Sequence, residues 1–127
     1  MTILGIRFCT VKPEQQARDI ADFLGPKGWN FAERDMGADH SEGFQGAVFP
    51  AGEASWTEIW AANEHMPETT MLHVIVDDAD AYAERAKANG VTVNGPMDMH
   101  GERIYFSEAP GGLQMAVLSK LPENGDQ

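Results

Sequence analysis

A single cysteine, few basic residues and no long apolar run set the first limits on this chain. Cys9 stands alone, so no internal disulfide can form, and a reducing compartment is expected. Nine Lys and Arg face 20 Asp and Glu, a formal charge of −11. Such a surface repels phosphate backbones and anionic bilayers, so neither nucleic acid nor membrane is an expected partner. No apolar stretch nears the roughly 18 residues of a spanning helix, and the first residues lack the basic-then-apolar pattern of an export signal. The expectation is a cytoplasmic protein. What is present is apolar enough for one core. Hydrophobic residues make up 43% of 127 residues, which is one domain's worth of chain, 1–127.

The most informative stretch runs from Met71 to Lys120. Residues 71–76 read as a strand: Met71, His73 and Ile75 on one face, Leu72, Val74 and Val76 on the other. The purely aliphatic face is expected to pack on a helix. Asp78 is a plausible N-cap for a helix over Ala79–Asn89, which Asn89-Gly90 ends. Three strand-like runs follow: Val91–Val93, Arg103–Ser107 and Leu113–Ser119. A loop at Gly95–Gly101 carries Met97, Met99 and His100, and a turn at Glu108–Gly112 precedes the last strand. Gln114, Ala116 and Leu118 share one face of that strand.

The same order, β-α-β-β-β, is legible in the first half. A strand near Ile3–Val11 precedes a helix near Pro13–Leu24, whose Ala17, Ile20, Ala21 and Leu24 form an apolar stripe. Three strands are then expected at Trp29–Asp35, Phe44–Phe49 and Ser55–Ala61, with a loop at Met36–Gly43. In the last strand Trp56, Glu58 and Trp60 share a face opposite Thr57 and Ile59. If Ile59 packs under the helix, Glu58 sits between two indoles on the other side. Unit 1 is thus about 3–62, a linker occupies 63–68, unit 2 is about 69–120, and residues 121–127 form a frayed tail.

This doubled βαβββ order resembles the vicinal oxygen chelate superfamily, which includes glyoxalase I, bleomycin-resistance proteins and extradiol dioxygenases. The second half carries the clearest likeness, in VIVDDADAYAERAKANGV, in Gly95-Pro96 and in YFSEAPGGLQMAVL. The chain departs from the family's turn, where Glu108-Ala109-Pro110-Gly111-Gly112 replaces a segment with two aspartates. The resemblance implies an α+β fold, with two tandem units forming a curved mixed sheet and the helices on its convex face. It also implies a homodimer. Metal-dependent members place four ligands on the first and last strands of the two units. Those positions fall here on Ile6, Glu58, Met71 and Ala116. Only Glu58 is a ligand for a hard or borderline divalent ion.

Two readings follow. The first is a metal-free protein, needing no cofactor, that binds a small aromatic or polar organic molecule for sequestration or simple acid–base chemistry. Glu58 and His73 are its candidate catalytic groups. Trp56, Trp60, Met71, His100, Arg103, Tyr105 and Gln114 are its candidate ligand-binding residues. The second is a glyoxalase-type lyase, isomerase or dioxygenase with one Zn, Ni, Fe or Mn ion at a relocated site built from Glu58, His73 and His100. Each candidate has a plainer role: the Trp pair as packing, His73 as a hydrogen-bonded wall residue, the Met97–His100 loop as ordinary surface, and Cys9 as a small core residue.

Overall fold

The computed structural model describes residues 1–35 and 43–121. It holds seven strands and two α-helices among these residues: β1 Ile3–Lys12, α1 Glu14–Leu24, β2 Gly46–Ala51, β3 Ser55–Ala61, β4 Thr69–Val76, α2 Ala79–Ala88, β5 Asn94–Met99, β6 Glu102–Ala109 and β7 Leu113–Lys120. The class is α+β with mixed strand pairing, as the sequence implied. No helix of the described residues is long and apolar enough to cross a membrane. The loop expected at Met36–Gly43, apart from Gly43, and the tail beyond Leu121 lie outside the described residues.

The chain divides into two compact bodies. The first comprises Arg7–Thr70. Its strands lie in the order β2-β3-β1, with β2 antiparallel and β1 parallel to β3. α1 covers one face: Ala17 and Ala21 from the helix pack with Ala47, Phe49 and Ile59 from the strands. Ile59 is completely buried there. The period-3.6 stripe read from the sequence is therefore the stripe that packs. The strand expected at Phe44–Phe49 runs on past Phe49, so Pro50 lies inside β2. It is tolerated because in this body β2 pairs on one side only, with β3.

The second body comprises Met1–Ile6 and the chain from Met71 on. Its strands lie in the order β4-β7-β6-β5, with β4 parallel to β7 and the other pairs antiparallel. Val74, Val76, Tyr105 and Val117 pack against Ala79 and Ala83 of α2, as the aliphatic face of β4 predicted. Asp78 caps α2, accepting from Ala81 N at 3.1 Å. The opposite face holds Ile75, Ala116 and Leu118 with Met71, Ile104 and Phe106 around them. The first residues belong here and not with the rest of the first unit. Asp77 explains this: its Oδ1 accepts from Thr2 N at 3.0 Å, and its N donates to Thr2 O at 3.1 Å.

Two expected strands are corrected. Trp29–Asp35 is not a strand, because its backbone donors are spent on the end of α1. Trp29 N reaches Phe23 O, Asn30 N reaches Gly25 O and Phe31 N reaches Leu24 O, at 2.7–2.9 Å. Asn30 also adopts a φ of 61°, which breaks an extended run. Trp29 and Phe31 end up exposed and stacked on each other, with centroids 6.2 Å apart. Val91–Val93 is not a strand either. Val91 N is held by Ala86 O at the helix end, and pairing begins only at Asn94, opposite Phe106. The supposed Gly95–Gly101 loop is instead strand β5 followed by a two-residue hairpin turn at His100-Gly101. Both turn residues have positive φ, 53° and 78°, as the tight turn of a twisted hairpin requires.

A charged network joins α2 to this hairpin. Arg103 donates from Nε and Nη2 to both oxygens of Asp98 at 2.9 Å, and from Nη1 to Asp80 at 3.2 Å. Tyr105 donates its hydroxyl to Asp80. The hydrogen bonds from Arg103 hold the Asp98 carboxyl below its ordinary value, and the bond from Thr2 N does the same for Asp77. In the folded state these groups resist protonation. Below the ordinary carboxylate value the unfolded chain therefore binds more protons, and stability falls as pH falls. The urea midpoint is expected to drop between pH 6 and pH 2.5, and to drop less in Arg103→Gln, which frees Asp98. An equal drop in the variant would show that the Arg103–Asp98 pair does not contribute to the acid response.

Candidate functional site

Strand β3 alternates strictly, so burying Ile59 under α1 forces Trp56, Glu58 and Trp60 onto the opposite face of the first body. The register aligns Arg7 with Trp56, Cys9 with Glu58 and Val11 with Trp60 across the parallel pair. Each Glu58 oxygen then receives an indole N–H from its own strand. Trp60 Nε1 donates to Oε1 at 2.8 Å, and Trp56 Nε1 donates to Oε2. Residues i−2 and i+2 thus clasp the carboxylate between them. Hydrogen bonds to an ionised acceptor are the stronger kind, each worth about 1.5–3 kcal/mol net.

The surroundings reinforce this arrangement. The guanidinium of Arg7, itself buried, lies 3.6 Å from the centroid of the Trp56 ring, and that of Arg34 lies 4.7 Å from it. Both distances suit cation–π attraction. Trp60 lies flat across Gly46, so a Cβ placed at Gly46 would fall 2.1 Å from the ring atom Cε3. Cys9 is buried beside the carboxylate. Burial first, and then the charge and hydrogen bonding of Glu58, push its thiol up to about 12. Cys9 is therefore a neutral thiol and not a nucleophile, in keeping with the core role expected of it.

The other candidates lie in the second body. Met71, His73 and Ile75 share a face of β4 with Gln114, Ala116 and Leu118 of β7, residue opposite residue. His73 is half-buried opposite Ala116, which is 1% exposed. Gln114 donates from Nε2 to Gly112 O at 3.4 Å. Arg103 and Tyr105 are on the other face of this sheet, the one α2 covers. Their polar atoms are engaged by Asp80 and Asp98, so they do not join the Met71–His73–Gln114 face. His100 is at the hairpin tip. Along the strands it lies beyond Met99, which is itself four residues past the level of His73, so the two histidines are more than about 13 Å apart at 3.3 Å per residue.

The relocated site cannot include both His73 and His100. A bound ion needs its donors within about 2.0–2.3 Å, and the separation of His73 from His100 forbids a shared ion. No group of three His, Cys, Asp or Glu among the described residues could hold a metal ion. At the positions the family uses, Ile6, Met71 and Ala116 offer no hard donor, and both oxygens of Glu58 already accept indole protons. The residues present do not fit a divalent ion.

Sequence reading missed Gly46 and Arg34. A glycine inside a strand pattern is a known sign of close approach by another group, and here that group is the Trp60 ring. Arg34 gave no signal, because its position depends on the misread Trp29–Asp35 segment. Adding one methyl at Gly46 is expected to cost about 1–3 kcal/mol through overpacking. In Gly46→Ala the urea unfolding curve should shift by that amount, and in a Trp60→Leu background the same change should cost only a few tenths. An undiminished penalty in that background would place the cost in the strand backbone and not in the indole contact.

No family model matches the chain, and no curated protein matches it. Solved structures do. A glyoxalase/bleomycin resistance protein/dioxygenase superfamily member from Vibrio splendidus 12B01 aligns with a TM-score of 0.63 at 8% identity, over 94% of this chain and 100% of that one. A structure described as an NAD-dependent benzaldehyde dehydrogenase from Legionella pneumophila aligns with a TM-score of 0.61 at 10% identity, over 91% and 98%. Methylmalonyl-CoA epimerase from Mycobacterium tuberculosis aligns with a TM-score of 0.55 at 15% identity, over 98% and 91%. Such likenesses establish the fold: the chain has the glyoxalase/bleomycin resistance/dioxygenase architecture.

Proposed function

We propose that this protein binds a small organic molecule without a metal, using the face of the first body that carries Trp56, Glu58 and Trp60. The observation that carries the reading is the clasp on Glu58. The one residue with donor chemistry at a metal position of this fold has both oxygens turned to indole N–H groups. A carboxylate held this way fixes two large aromatic surfaces in place for a ligand. Sequestration requires no more than this.

Metal content of untagged protein, measured by elemental mass spectrometry, tests the first half of the proposal. Less than a tenth of an equivalent of Zn, Ni, Fe or Mn is expected after incubation with each ion. A near-stoichiometric metal that is lost in both Glu58→Ala and His73→Ala would overturn it. Binding of flat aromatic molecules, followed by quenching of indole emission in a Trp29→Phe background, tests the second half. Trp60→Phe should weaken that binding, and no quenching across a panel of aromatic ligands would count against the proposed face.

The homodimer implied by the fold family also belongs to this proposal. On β1 the apolar side chains Ile6 and Phe8 are 44% and 47% exposed. Apolar side chains so exposed on a strand are suited to burial against another chain. Sedimentation velocity should give a dimer for the parent protein and a monomer for Phe8→Glu. A monomeric parent would remove the dimer from the proposal.

A further inference from the structure

The chain has more than twice as many acidic as basic residues, and four of its nine Lys and Arg form ion pairs among the described residues. Lys12 pairs with Glu68, Lys27 with Asp22, Lys87 with Glu84, and Arg103 with Asp80 and Asp98. Arg34 is not one of the four. It is exposed, and among the described residues it makes no ion pair, not even with its neighbours Glu33 and Asp35. Its guanidinium rests instead 4.7 Å from the centroid of the Trp56 ring. Its backbone is fixed as well, with Arg34 N donating to Val48 O at 2.8 Å, so the side chain leaves from an anchored point on the edge of β2.

The carboxylate on this face is engaged with the indoles and not with this guanidinium. Glu58 is the nearest carboxylate on β3, and its oxygens point at two indole N–H groups. Cys9 contributes no negative charge, because burial beside Glu58 keeps its thiol protonated. An exposed guanidinium keeps five N–H donors in a plane, a shape matched to a carboxylate or another oxyanion. The indole beneath it orients that plane and offers apolar contact to whatever carries the anion.

We propose that the ligand of this face is an organic anion: a flat ring bearing a carboxylate or similar oxyanion, with the oxyanion on Arg34 and the ring against the indoles. This inference rests on the reading of the face as a small-molecule site, and it names the ligand class. Arg34 is the specificity-determining residue and Glu58 holds the indoles in place. The long-range field of the chain, at −11, opposes any anion. Selection for one therefore depends on this local cation, and binding should strengthen as salt screens the rest of the surface.

Three probes of one shape test the proposal by calorimetry: 2-naphthoate, 2-naphthalenemethanol and 2-naphthylmethylammonium. The naphthoate is expected to bind at least tenfold more tightly than either of the others at moderate salt. Arg34→Gln should bring it down to the level of the alcohol while leaving the alcohol unchanged, and Arg34→Lys should retain part of the preference. Arg34 is exposed on a connector, so the fold is expected to survive, and an unchanged urea midpoint would confirm it. If alcohol or ammonium binds as well as naphthoate, or if Arg34→Gln leaves the preference intact, the anion assignment fails and the binding face stands. If none of the three binds, the face is not a site for flat molecules, and both readings fall together.

Discussion

The carboxylate of Glu58 is the constraint around which the first body is arranged. It sits on a strand whose other face is committed to α1 through Ile59, so it cannot turn away from the indoles two residues to either side. Those indoles are held in turn. Trp60 needs the bare backbone of Gly46, and Trp56 carries Arg7 and Arg34 beside its ring. A half-buried carboxylate without donors would carry a desolvation cost. Here each oxygen has one, supplied by residues that alternate with Glu58 on a single pleated face. The pairing needs no long-range partner, only the period-2 geometry of one strand.

That local origin explains what the sequence could and could not disclose. The order of elements, the helix stripes, the Asp78 cap and the placement of Glu58 between indoles all follow from periodicity and from residues within a few positions of each other. They were legible for that reason. That Trp29–Asp35 forms no strand was not legible, because alternation in WNFAERD looks the same whether its donors meet a sheet or the end of a helix. The stretch around Gly95-Pro96 was misread as a loop, because pairing that resumes after an irregularity leaves no periodic trace. That His100 stands in a hairpin turn was not legible, because its positive φ is a property of backbone conformation and not of composition. Arg103 and Tyr105 were placed on one face correctly. Which face met the helix depended on the register with β7.

The architecture is shared with proteins whose described activities differ widely, so it limits chemistry very little. What distinguishes this chain is how its side chains fill the positions where relatives of this shape place donors. Aliphatic and thioether groups stand at three of them, and the fourth is tied up by aromatic N–H groups. The result is a surface with a fixed carboxylate, two large rings and the exposed guanidinium of Arg34.

The grouping of Met1–Ile6 with the chain beyond Met71 bears on how this protein emerges from a ribosome. Residues 1–6 are made well before the atoms that hold them, the Oδ1 and backbone N of Asp77, some seventy residues later. Until then this segment has no part of its own body to join, so the body closes only through contacts between residues far apart in the chain.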